Sequence, residues 1–327
     1  MATDMYNQSV FLVLKTAYLY YIQNKSQNEI ASQLNISITT VSRLLKKAKE
    51  EKIVEFVIRD PYVECIRLEE KLKDTFGLKD VVIAPAASLD VEDEDYEENV
   101  KKLVALEGAR YLQRIIKKGD VLGVTWGSTV YQMINYLNPA QKVKADFVTL
   151  HGSIASCDSE LDVRTLVTRI AKAFSGVNYV FLAEALMSSK QAADIIKQEK
   201  NASKIEQKFK EINISVSGTG SLYPKIRSIL AGPDFMSPED LADLQREGVV
   251  GDIALRFFDK DGKQCKTSLV DRTISIDFDQ FKKIETKITM ASGVHKAYTV
   301  LSALKGGLID VLIVDYNLGT EILNLYT

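Results

Sequence analysis

Residues 26–48 read Ser-Gln-Asn-Glu-Ile-Ala-Ser-Gln-Leu-Asn-Ile-Ser-Ile-Thr-Thr-Val-Ser-Arg-Leu-Leu-Lys-Lys-Ala, and this stretch predicts two short helices separated by a tight turn. Ser26, followed three residues later by Glu29, is a capping box that starts a helix. Asn35 can adopt the left-handed backbone that ends this helix, and Ser37 can cap the next one. The pattern is typical of a helix-turn-helix; the alternative is an ordinary pair of surface helices.

The second predicted helix has one apolar and one polar face. Its apolar residues recur at helical spacing and are expected to face inward; they are Ile38, Val41, Leu44, Leu45 and Ala48. The opposite face offers hydroxyls followed by cations, which suits a helix lying in the major groove of double-stranded DNA. We predict base and phosphate contacts from Ser37, Thr39, Thr40, Ser42, Arg43, Lys46 and Lys47.

Composition sets limits on the class of protein. The chain has 327 residues, 46% of them hydrophobic, and a net charge of −2, which indicates a globular protein of two or three domains. Residues 25–49 hold five basic residues and one acidic residue, a local charge of +4 that favours phosphate contact. Cysteines and histidines are widely separated, so no disulfide, metal or cofactor is predicted. Without a signal peptide or membrane-spanning run, we expect a cytoplasmic protein that binds no membrane.

Flanking segments complete the N-terminal module. Apolar residues at helical spacing predict a first helix that closes a three-helix core; they are Leu14, Ala17, Tyr18, Tyr21 and Ile22. Residues 52–58 read as a strand, which fits a winged helix-turn-helix, and Asp60-Pro61 ends the module. A short amphipathic helix follows, either packed on its own chain or used as a dimer contact. We predict a DNA-binding domain at 1–60, a linker and oligomerisation helix at 61–77, and a larger ligand-binding domain at 78–327.

Beyond residue 78, strands and helices alternate, which predicts an α/β domain with a mostly parallel sheet. The predicted strands are 79–84, 121–126, 147–150, 179–182, 212–217, 249–257, 284–291 and 311–315. Ligands of such sheets bind beyond the carboxyl ends of the strands. We therefore expect the site residues to lie at those ends.

Small and polar residues follow several of these strands. Gly127, Ser128 and Thr129 precede a helix, whose free N–H groups and dipole can bind a phosphate; a plain helix cap is the alternative. Lys296 can pair with a phosphate or be a solvated surface lysine. Asp252 can accept hydrogen bonds from a sugar or merely cap a backbone amide. His151 has no histidine or cysteine partner nearby in sequence, so no catalytic residues are predicted.

Four segments together resemble the SorC-type, sugar-binding bacterial transcriptional regulators along essentially the whole chain. They are Asn28-Glu-Ile-Ala to Thr-Val-Ser-Arg43, Asp120-Val-Leu-Gly-Val to Trp-Gly-Ser-Thr129, Val250-Gly-Asp-Ile to Asp-Lys-Asp-Gly262, and Lys296 to Asp310-Val-Leu-Ile-Val-Asp315. The resemblance implies an effector domain similar to sugar-phosphate isomerases and deaminases, in which sensing has replaced catalysis. It also implies a phosphorylated sugar effector and a homo-oligomer, a dimer or tetramer, on palindromic operator DNA.

The resemblance assigns roles to the residues at the strand ends. The phosphate would be held by Gly127, Ser128 and Thr129 with Lys296, and the sugar by His151, Gly152, Ser153, Thr219, Gly220 and Asp252. We expect a repressor of a carbohydrate-utilisation operon that the effector releases from DNA. The alternatives are an active sugar-phosphate isomerase or deaminase with an accessory DNA-binding head, and a nucleotide-binding scaffold without a DNA function.

Overall fold

The computed structural model describes residues 8–54, 62–85, 94–139, 142–154 and 158–327. The chain divides into two compact units, Met1–Arg59 and Asp60–Thr327. The helices are α1 (Gln8–Ala17), α2 (Gln27–Leu34), α3 (Ile38–Glu50), α4 (Tyr62–Phe76), α5 (Tyr96–Ile115), α6 (Ser128–Asn135), α7 (Val163–Phe174), α8 (Lys190–Gln198), α9 (Lys200–Phe209), α10 (Pro238–Arg246), α11 (Ser268–Arg272), α12 (Phe278–Lys282), α13 (Ala297–Lys305) and α14 (Tyr316–Tyr326). The strands are β1 (Asp80–Ala84), β2 (Val121–Val124), β3 (Asp146–Thr149), β4 (Val177–Tyr179), β5 (Ile214–Ser217), β6 (Gly220–Ser221), β7 (Gly251–Ile253), β8 (Arg256–Phe258), β9 (Thr286–Ala291) and β10 (Val311–Asp315).

The turn chemistry of the first unit confirms the prediction from sequence. The Ser26 N–H donates to the Glu29 carboxylate at 2.8 Å, and the Glu29 N–H donates to the Ser26 hydroxyl at 3.3 Å. Asn35 ends α2 in the left-handed region with φ of 51°. The Ser37 hydroxyl then accepts a hydrogen bond from the Thr40 N–H at 3.1 Å and caps α3. Each helix end thus has the cap that its residue type favours.

The inward face of α1 differs from the prediction. Val13 and Ala17 are buried with Leu44 and Ala48 of α3. Of the residues predicted to face inward, Leu14, Tyr18 and Ile22 are 52%, 53% and 66% exposed. Residues 10–22 are apolar on nearly every side, so periodicity alone does not select one face. Ile38, in the first turn of α3, is likewise 51% exposed, whereas the other four apolar residues predicted on that helix are buried.

The strand predicted at 52–58 is not seen in its described part. Residues 51–54 form turns and bends, and Lys52 has a left-handed φ of 55°. Residues 55–58 and the Asp60-Pro61 boundary lie outside the described residues. The winged form of this module therefore stays a prediction.

The second unit contains a seven-stranded parallel sheet in the order β1-β10-β9-β5-β2-β3-β4. Every neighbouring pair is parallel. From β2 the chain proceeds to β3 and β4, and it then returns to the other side of β2 as β5. The predicted parallel sheet is confirmed, and its strand order reverses between β2 and β5.

Helices cover both faces of this sheet. On β10, Leu312 and Val314 belong to one buried cluster, whereas Val311 and Ile313 belong to the other. This alternation is what a strand with two covered faces requires. The first cluster includes residues of α4, α9, α13 and α14, and the second includes residues of α5, α6 and α7. The helix α4, predicted as a linker, packs on β1 and α14 of its own unit.

One predicted strand is wrong, and others are displaced or shortened. Residues 249–257 form a hairpin, β7 and β8, because Ala254 and Leu255 both adopt left-handed backbone with φ of 51° and 60°. Two successive residues with left-handed backbone form a tight turn that reverses the chain and joins two antiparallel strands. Neither alanine nor leucine signals such a turn, and the apolar run therefore resembled one strand. The strand predicted at 179–182 lies earlier, at β4, and that predicted at 121–126 ends at Val124. The hairpin pairs with β6 in a small antiparallel sheet.

Candidate functional site

A cavity of about 760 Å³ lies at the carboxyl ends of β2, β5 and β9. Its walls also include the first turns of α5 and part of the β7–β8 hairpin. The strand order reverses between β2 and β5, and this is the point at which doubly wound sheets bind their ligands. The expectation that the site lies beyond the strand ends therefore agrees with the position of this cavity.

The exit of β2 brings the start of α6 to the cavity. Gly127, Ser128 and Thr129 all line it. Gly127 precedes α6 with φ of 135°, a conformation that favours glycine, and it has no side chain with which to cap the helix. The N–H groups of the first turn and the positive end of the helix dipole are consequently available to an anion.

The exit of β9 brings Lys296 to the same cavity. This segment begins at Gly293, with φ of 88°, and continues as a 3-10 turn, Val294–Lys296. One Asp315 carboxylate oxygen accepts from the Gly293 N–H at 2.7 Å, and the other accepts from the Leu318 N–H at 2.9 Å. Asp315 thus caps α14 and also positions the loop that carries Lys296. Sequence reasoning assigned it no role, although an aspartate between a strand and a helix is a recognisable cap.

The charges of Lys296 and Asp252 are set by their surroundings. Burial and the nearby Lys101 lower the pKa of Lys296 to about 8, against the opposing effect of Asp252. Burial raises the pKa of Asp252 to about 6, although the Leu255 N–H and Lys296 act in the opposite direction. Both groups are therefore ionised between about pH 6 and pH 8. A lysine held with a depressed pKa gains most when an anion enters beside it.

Thr219 and Gly220 line the cavity beside Asp252. The Thr219 hydroxyl donates to the Asp252 carbonyl at 3.0 Å, so it joins the end of β5 to the hairpin. A Cβ on Gly220 would lie 2.1 Å from an Asp252 carboxylate oxygen. Only glycine at this position lets that carboxylate lie over β6.

Three residues predicted to hold the sugar are not placed at the cavity wall: His151, Gly152 and Ser153 are buried behind it. The His151 Nε2 accepts a hydrogen bond from the Trp126 N–H at 3.0 Å, and its Nδ1 donates to the Gly152 carbonyl at 2.7 Å. Burial lowers the pKa of His151 to about 4, so the ring is neutral at physiological pH. Trp126 lines the cavity, and His151 therefore supports the wall without forming it.

Contacts within the interior account for the residue types at Gly152 and Ser153. A Cβ on Gly152 would lie 2.6 Å from the Ala183 carbonyl, which excludes a larger residue. The Ser153 hydroxyl donates to the Asp162 carboxylate, and its N–H donates to the Ala183 carbonyl at 2.8 Å. The chain after β3 thus turns into the protein interior, which the polar residue types did not indicate.

Several charged residues at the cavity were missed from the sequence. Lys101 of α5 is ion-paired with Glu98 at 2.6 Å, and Arg227 is paired with Glu97 at 3.5 Å. All four line the cavity, as does His295. Glu97, Glu98 and Lys101 lie on α5, more than a hundred residues from Arg227 and His295, so no local spacing linked these groups.

The predicted DNA-contact face of α3 is largely exposed. Thr39, Ser42, Arg43 and Lys46 are exposed, and Thr40 and Lys47 are half-buried. The Ser37 hydroxyl lies 2.7 Å from that of Thr39 and 2.8 Å from that of Thr40, so these three side chains organise the start of the helix. Lys46 and Lys47 lie 3.7 Å and 3.5 Å from Glu50 and Glu51, which are exposed pairs that DNA phosphates can displace.

Among the described residues, no three His, Cys, Asp or Glu side chains are grouped to hold a metal ion. Each helix that the structure describes is too short or too polar to span a bilayer. Cys65 and Cys265 are buried and unbonded to one another.

Comparisons with known proteins identify the class. The Sugar-bind family model, described as "Putative sugar-binding domain", matches residues 60–324. The deoxyribonucleoside regulator of Bacillus subtilis (strain 168) is 30% identical over 315 residues, which cover 96% of this chain and 97% of that protein. The sorbitol operon regulator of Klebsiella pneumoniae is 29% identical and covers 94% of this chain and 96% of its own length.

Solved structures agree with the sequence comparison. The full-length sorbitol operon regulator SorC from Klebsiella pneumoniae aligns with a TM-score of 0.74 at 29% identity, over 97% of this chain and all of that one. A DeoR family transcriptional regulator from Listeria monocytogenes aligns with a TM-score of 0.70 at 26% identity, over 79% of this chain and 99% of that one. A helical head followed by a parallel-sheet domain with this cavity defines a transcriptional regulator with a sugar-binding domain. The chain belongs to the SorC-type family of these regulators.

Proposed function

We propose that a phosphorylated sugar binds this cavity and sets the affinity of the regulator for operator DNA. The observation that carries the proposal is that the first turn of α6 and the Lys296 side chain line one cavity. Uncapped helix N–H groups and a lysine are the groups that proteins use to bind phosphate. Gly127, Ser128 and Thr129 would hold the phosphate with Lys296.

The polar groups beside that cradle suit a sugar. The Asp252 carboxylate can accept hydrogen bonds from hydroxyl groups while ionised, and Thr219 and Gly220 shape the wall against it. Two relatives are named for the sorbitol operon and for erythritol catabolism, which favours a carbohydrate-derived effector. His151 lies behind the wall with a pKa of about 4, so it supplies no base to a bound sugar. The buried position and low pKa of His151 thus favour a sensor over an isomerase or deaminase that would use this histidine as its base.

DNA would be bound by the exposed face of α3. Thr39, Ser42 and Arg43 are exposed and would meet base edges or phosphates, and Lys46 and Lys47 would meet the backbone. One such head reads a half-site, so a symmetric dimer or tetramer on a palindromic operator follows. The effector must bind one quaternary arrangement better than the other, and we propose that it favours the one released from DNA.

The effector is tested by thermal unfolding of the full chain with phosphorylated sugars, each beside its unphosphorylated parent. A ligand at a hundred times its Kd adds about 2.7 kcal/mol to the stability of the native state. We expect a phosphorylated sugar to raise the unfolding temperature. This shift should be lost in Lys296→Met and kept in Lys260→Met, which replaces an exposed lysine. A shift with only the free sugar would contradict the phosphate site while leaving the regulator intact.

DNA contact is tested with a mixed-sequence duplex, because phosphate contacts do not depend on base sequence. Lys46→Ala should weaken binding and lower the slope of log affinity against log salt by about one for each bound head. Lys260→Ala removes the same charge from the second unit and serves as the control. Equal slopes for the two variants would remove Lys46 from the interface.

A further inference from the structure

Lysines are concentrated where the chain enters four neighbouring strands of the parallel sheet. Residues 282–286 lead into β9, 208–213 into β5, 116–120 into β2 and 142–146 into β3, and these strands are adjacent in that order. Together the four segments hold eight lysines and four carboxylates. They lie at the amino ends of the strands, whereas the cavity lies at the carboxyl ends.

Hydrogen bonds hold the four segments side by side. The Gly119 N–H donates to the Lys144 carbonyl at 2.9 Å, which joins the entries to β2 and β3. The Asn213 side-chain carbonyl accepts from the Val121 N–H at 2.8 Å, and the Asn213 backbone carbonyl accepts from the Thr286 N–H at 3.0 Å. These bonds join the entries to β2, β5 and β9. With about 4.8 Å between neighbouring strands, the four entries extend over about 14 Å.

The carboxylates of these segments already have partners. Lys208 lies 2.8 Å from Asp146 and 2.7 Å from Glu211, so one lysine pairs with two of the four carboxylates. The other two are held in the same region: Asp120 accepts from the Lys117 N–H at 2.8 Å and from the Asn213 amide at 2.9 Å, and Glu285 lies 3.9 Å from Lys79. The carboxylates therefore do little to neutralise the other lysines of the four segments.

Seven lysines remain at the surface of this end of the sheet. All are exposed, and none has a carboxylate oxygen within 4.0 Å among the residues that the structure describes; they are Lys117, Lys118, Lys142, Lys144, Lys210, Lys282 and Lys283. Together they form the lysine face. Lys210 and Lys283, which precede different strands, line one surface depression of about 400 Å³. The face is thus an excess of positive charge on a chain whose net charge is −2.

Helix dipoles account for only part of the lysine face. A lysine is favoured at the C-terminus of a helix, and α9 and α12 end beside Lys210 and Lys282. One lysine at each end satisfies this preference, yet Lys283 adds a second at α12. Lys142 and Lys144 lie well beyond the end of α6, where the dipole of that helix no longer acts. The concentration of charge therefore points to an anionic partner.

The composition of the lysine face suits the phosphates of double-stranded DNA. Its four segments, all of them described, expose no large apolar side chain. The cores of protein–protein interfaces are instead rich in aromatic residues and depleted in lysine. Phosphates follow one another at about 3.4 Å along each strand of a duplex, so about four of them span the four strand entries. Lysine contacts with phosphate require no particular base sequence.

We propose that the lysine face binds the phosphate backbone of double-stranded DNA, in addition to the contact proposed for α3. The ligand-binding unit would then strengthen the attachment of the regulator to any duplex without adding sequence specificity. The inference goes beyond the proposed function and does not require that α3 contact DNA.

The test measures binding of the full chain to a labelled mixed-sequence duplex by fluorescence anisotropy at several salt concentrations. One variant combines Lys144→Gln, Lys210→Gln and Lys283→Gln, which removes a lysine from three of the four strand entries. The slope of log affinity against log salt should fall by about three for each bound chain, because each phosphate contact contributes about 0.9.

A matched control removes the same charge elsewhere on the same unit. It combines Lys200→Gln, Lys225→Gln and Lys266→Gln, which replace exposed lysines outside the four segments, and it should keep the native slope. Every substituted side chain is exposed, so both proteins should unfold at the native temperature. If the first variant unfolds early, the combination of Lys117→Gln, Lys142→Gln and Lys282→Gln repeats the test with the other lysines of the face.

Two results would overturn the inference. The first is an equal slope for the lysine-face variant and its control; a slope lowered by Lys46→Ala alone would leave the proposed α3 contact standing. The second comes from poly-glutamate, titrated as a competing polyanion. If the native chain binds poly-glutamate more tightly than the duplex, and the lysine-face variant loses that binding, the face binds an acidic polypeptide and the inference is wrong.

Discussion

Lys296 is a single residue whose charge state should be visible in effector binding. Its pKa is about 8 in the ligand-free protein, because it is buried beside Lys101. A bound phosphate raises that pKa, so above pH 8 binding must take up a proton. The affinity for a phosphorylated sugar should therefore fall by up to about tenfold for each pH unit above 8.

Calorimetric titration between pH 6.5 and pH 9.5 measures this dependence. Lys296→Arg keeps its charge throughout this range, and its affinity should stay level where that of the native chain falls. A native profile that is flat to pH 9.5 would mean that Lys296 does not contact the phosphate. Below pH 6 the effector phosphate itself gains a proton, so the range is restricted to higher pH.

His151 should limit stability in acid. Burial lowers its pKa from 6.5 to about 4, so the unfolded chain binds a proton at a pH where the native chain does not. Stability is complete above pH 6.5 and is lost as the pH falls towards 4, by roughly 3 kcal/mol in total. His151→Gln keeps an acceptor for the Trp126 N–H and removes the titration, so its urea denaturation midpoint should fall less between pH 6.5 and pH 4. An equal fall in both proteins would contradict this account.

At the scale of elements, the junction of β2 and α6 depends on Gly127. Its φ is 135°, and no atom lies within 4 Å of a Cβ placed there, so alanine fits in space but strains the backbone. Gly127→Ala should destabilise the domain by about 1–2 kcal/mol and displace the N–H groups that face the cavity. Thermal shift should therefore show that phosphate-dependent stabilisation is lost.

Gly119 provides the matched control for this prediction. It also has positive φ, 92°, and open space for a Cβ, but it precedes β2 at the opposite end of the strand. Gly119→Ala should destabilise the domain to a similar extent and keep the ligand-induced shift. If both variants respond alike to ligand, the α6 terminus is not the phosphate site.

Substitutions can also test which face of α1 is buried. Val13 is fully buried and Leu14 is 52% exposed, although the sequence pattern favoured Leu14 as the inward residue. Val13→Ala should destabilise the head by about 2 kcal/mol, whereas Leu14→Ala should change it by less than about 0.5 kcal/mol. Hydrogen exchange of the α3 amides measures the stability of the N-terminal unit by itself. Global unfolding of a chain with two units does not separate the two contributions. Weaker protection of these amides in Leu14→Ala than in Val13→Ala would contradict the observed packing.

At the scale of the whole molecule, any coupling between effector binding and DNA binding must be reciprocal. If the effector weakens DNA binding by some factor, DNA weakens effector binding by the same factor. We expect a factor of 5 to 150, which corresponds to about 1–3 kcal/mol, and a decrease in both directions. Titrations of the full chain with a duplex selected from a random library, with and without effector, measure it. Tighter DNA binding with effector would identify an activator or a co-repressed system.

Local chemistry made much of this molecule predictable. Ser26, Asn35 and Ser37 form the caps that their residue types favour, because a helix end is satisfied by residues within four positions of it. The parallel sheet and the cavity beyond its strand ends also followed from the alternation of apolar strands and helices. The resemblance to the SorC-type regulators, which the comparisons confirm, came from motifs that are themselves local.

Tertiary structure decided what lies at the cavity wall. His151 and Ser153 follow a strand just as Ser128 does, yet they are buried, because the chain after β3 pairs through bridges with residues 275 and 184. Lys101 and Arg227 reach the cavity from segments more than a hundred residues apart, and Asp252 reaches it through a hairpin of Ala254 and Leu255. The sequence by itself determined the family, the caps and the sheet, because those depend on neighbouring residues. Only the packed structure decided which polar side chains share the cavity, because that depends on where distant segments meet.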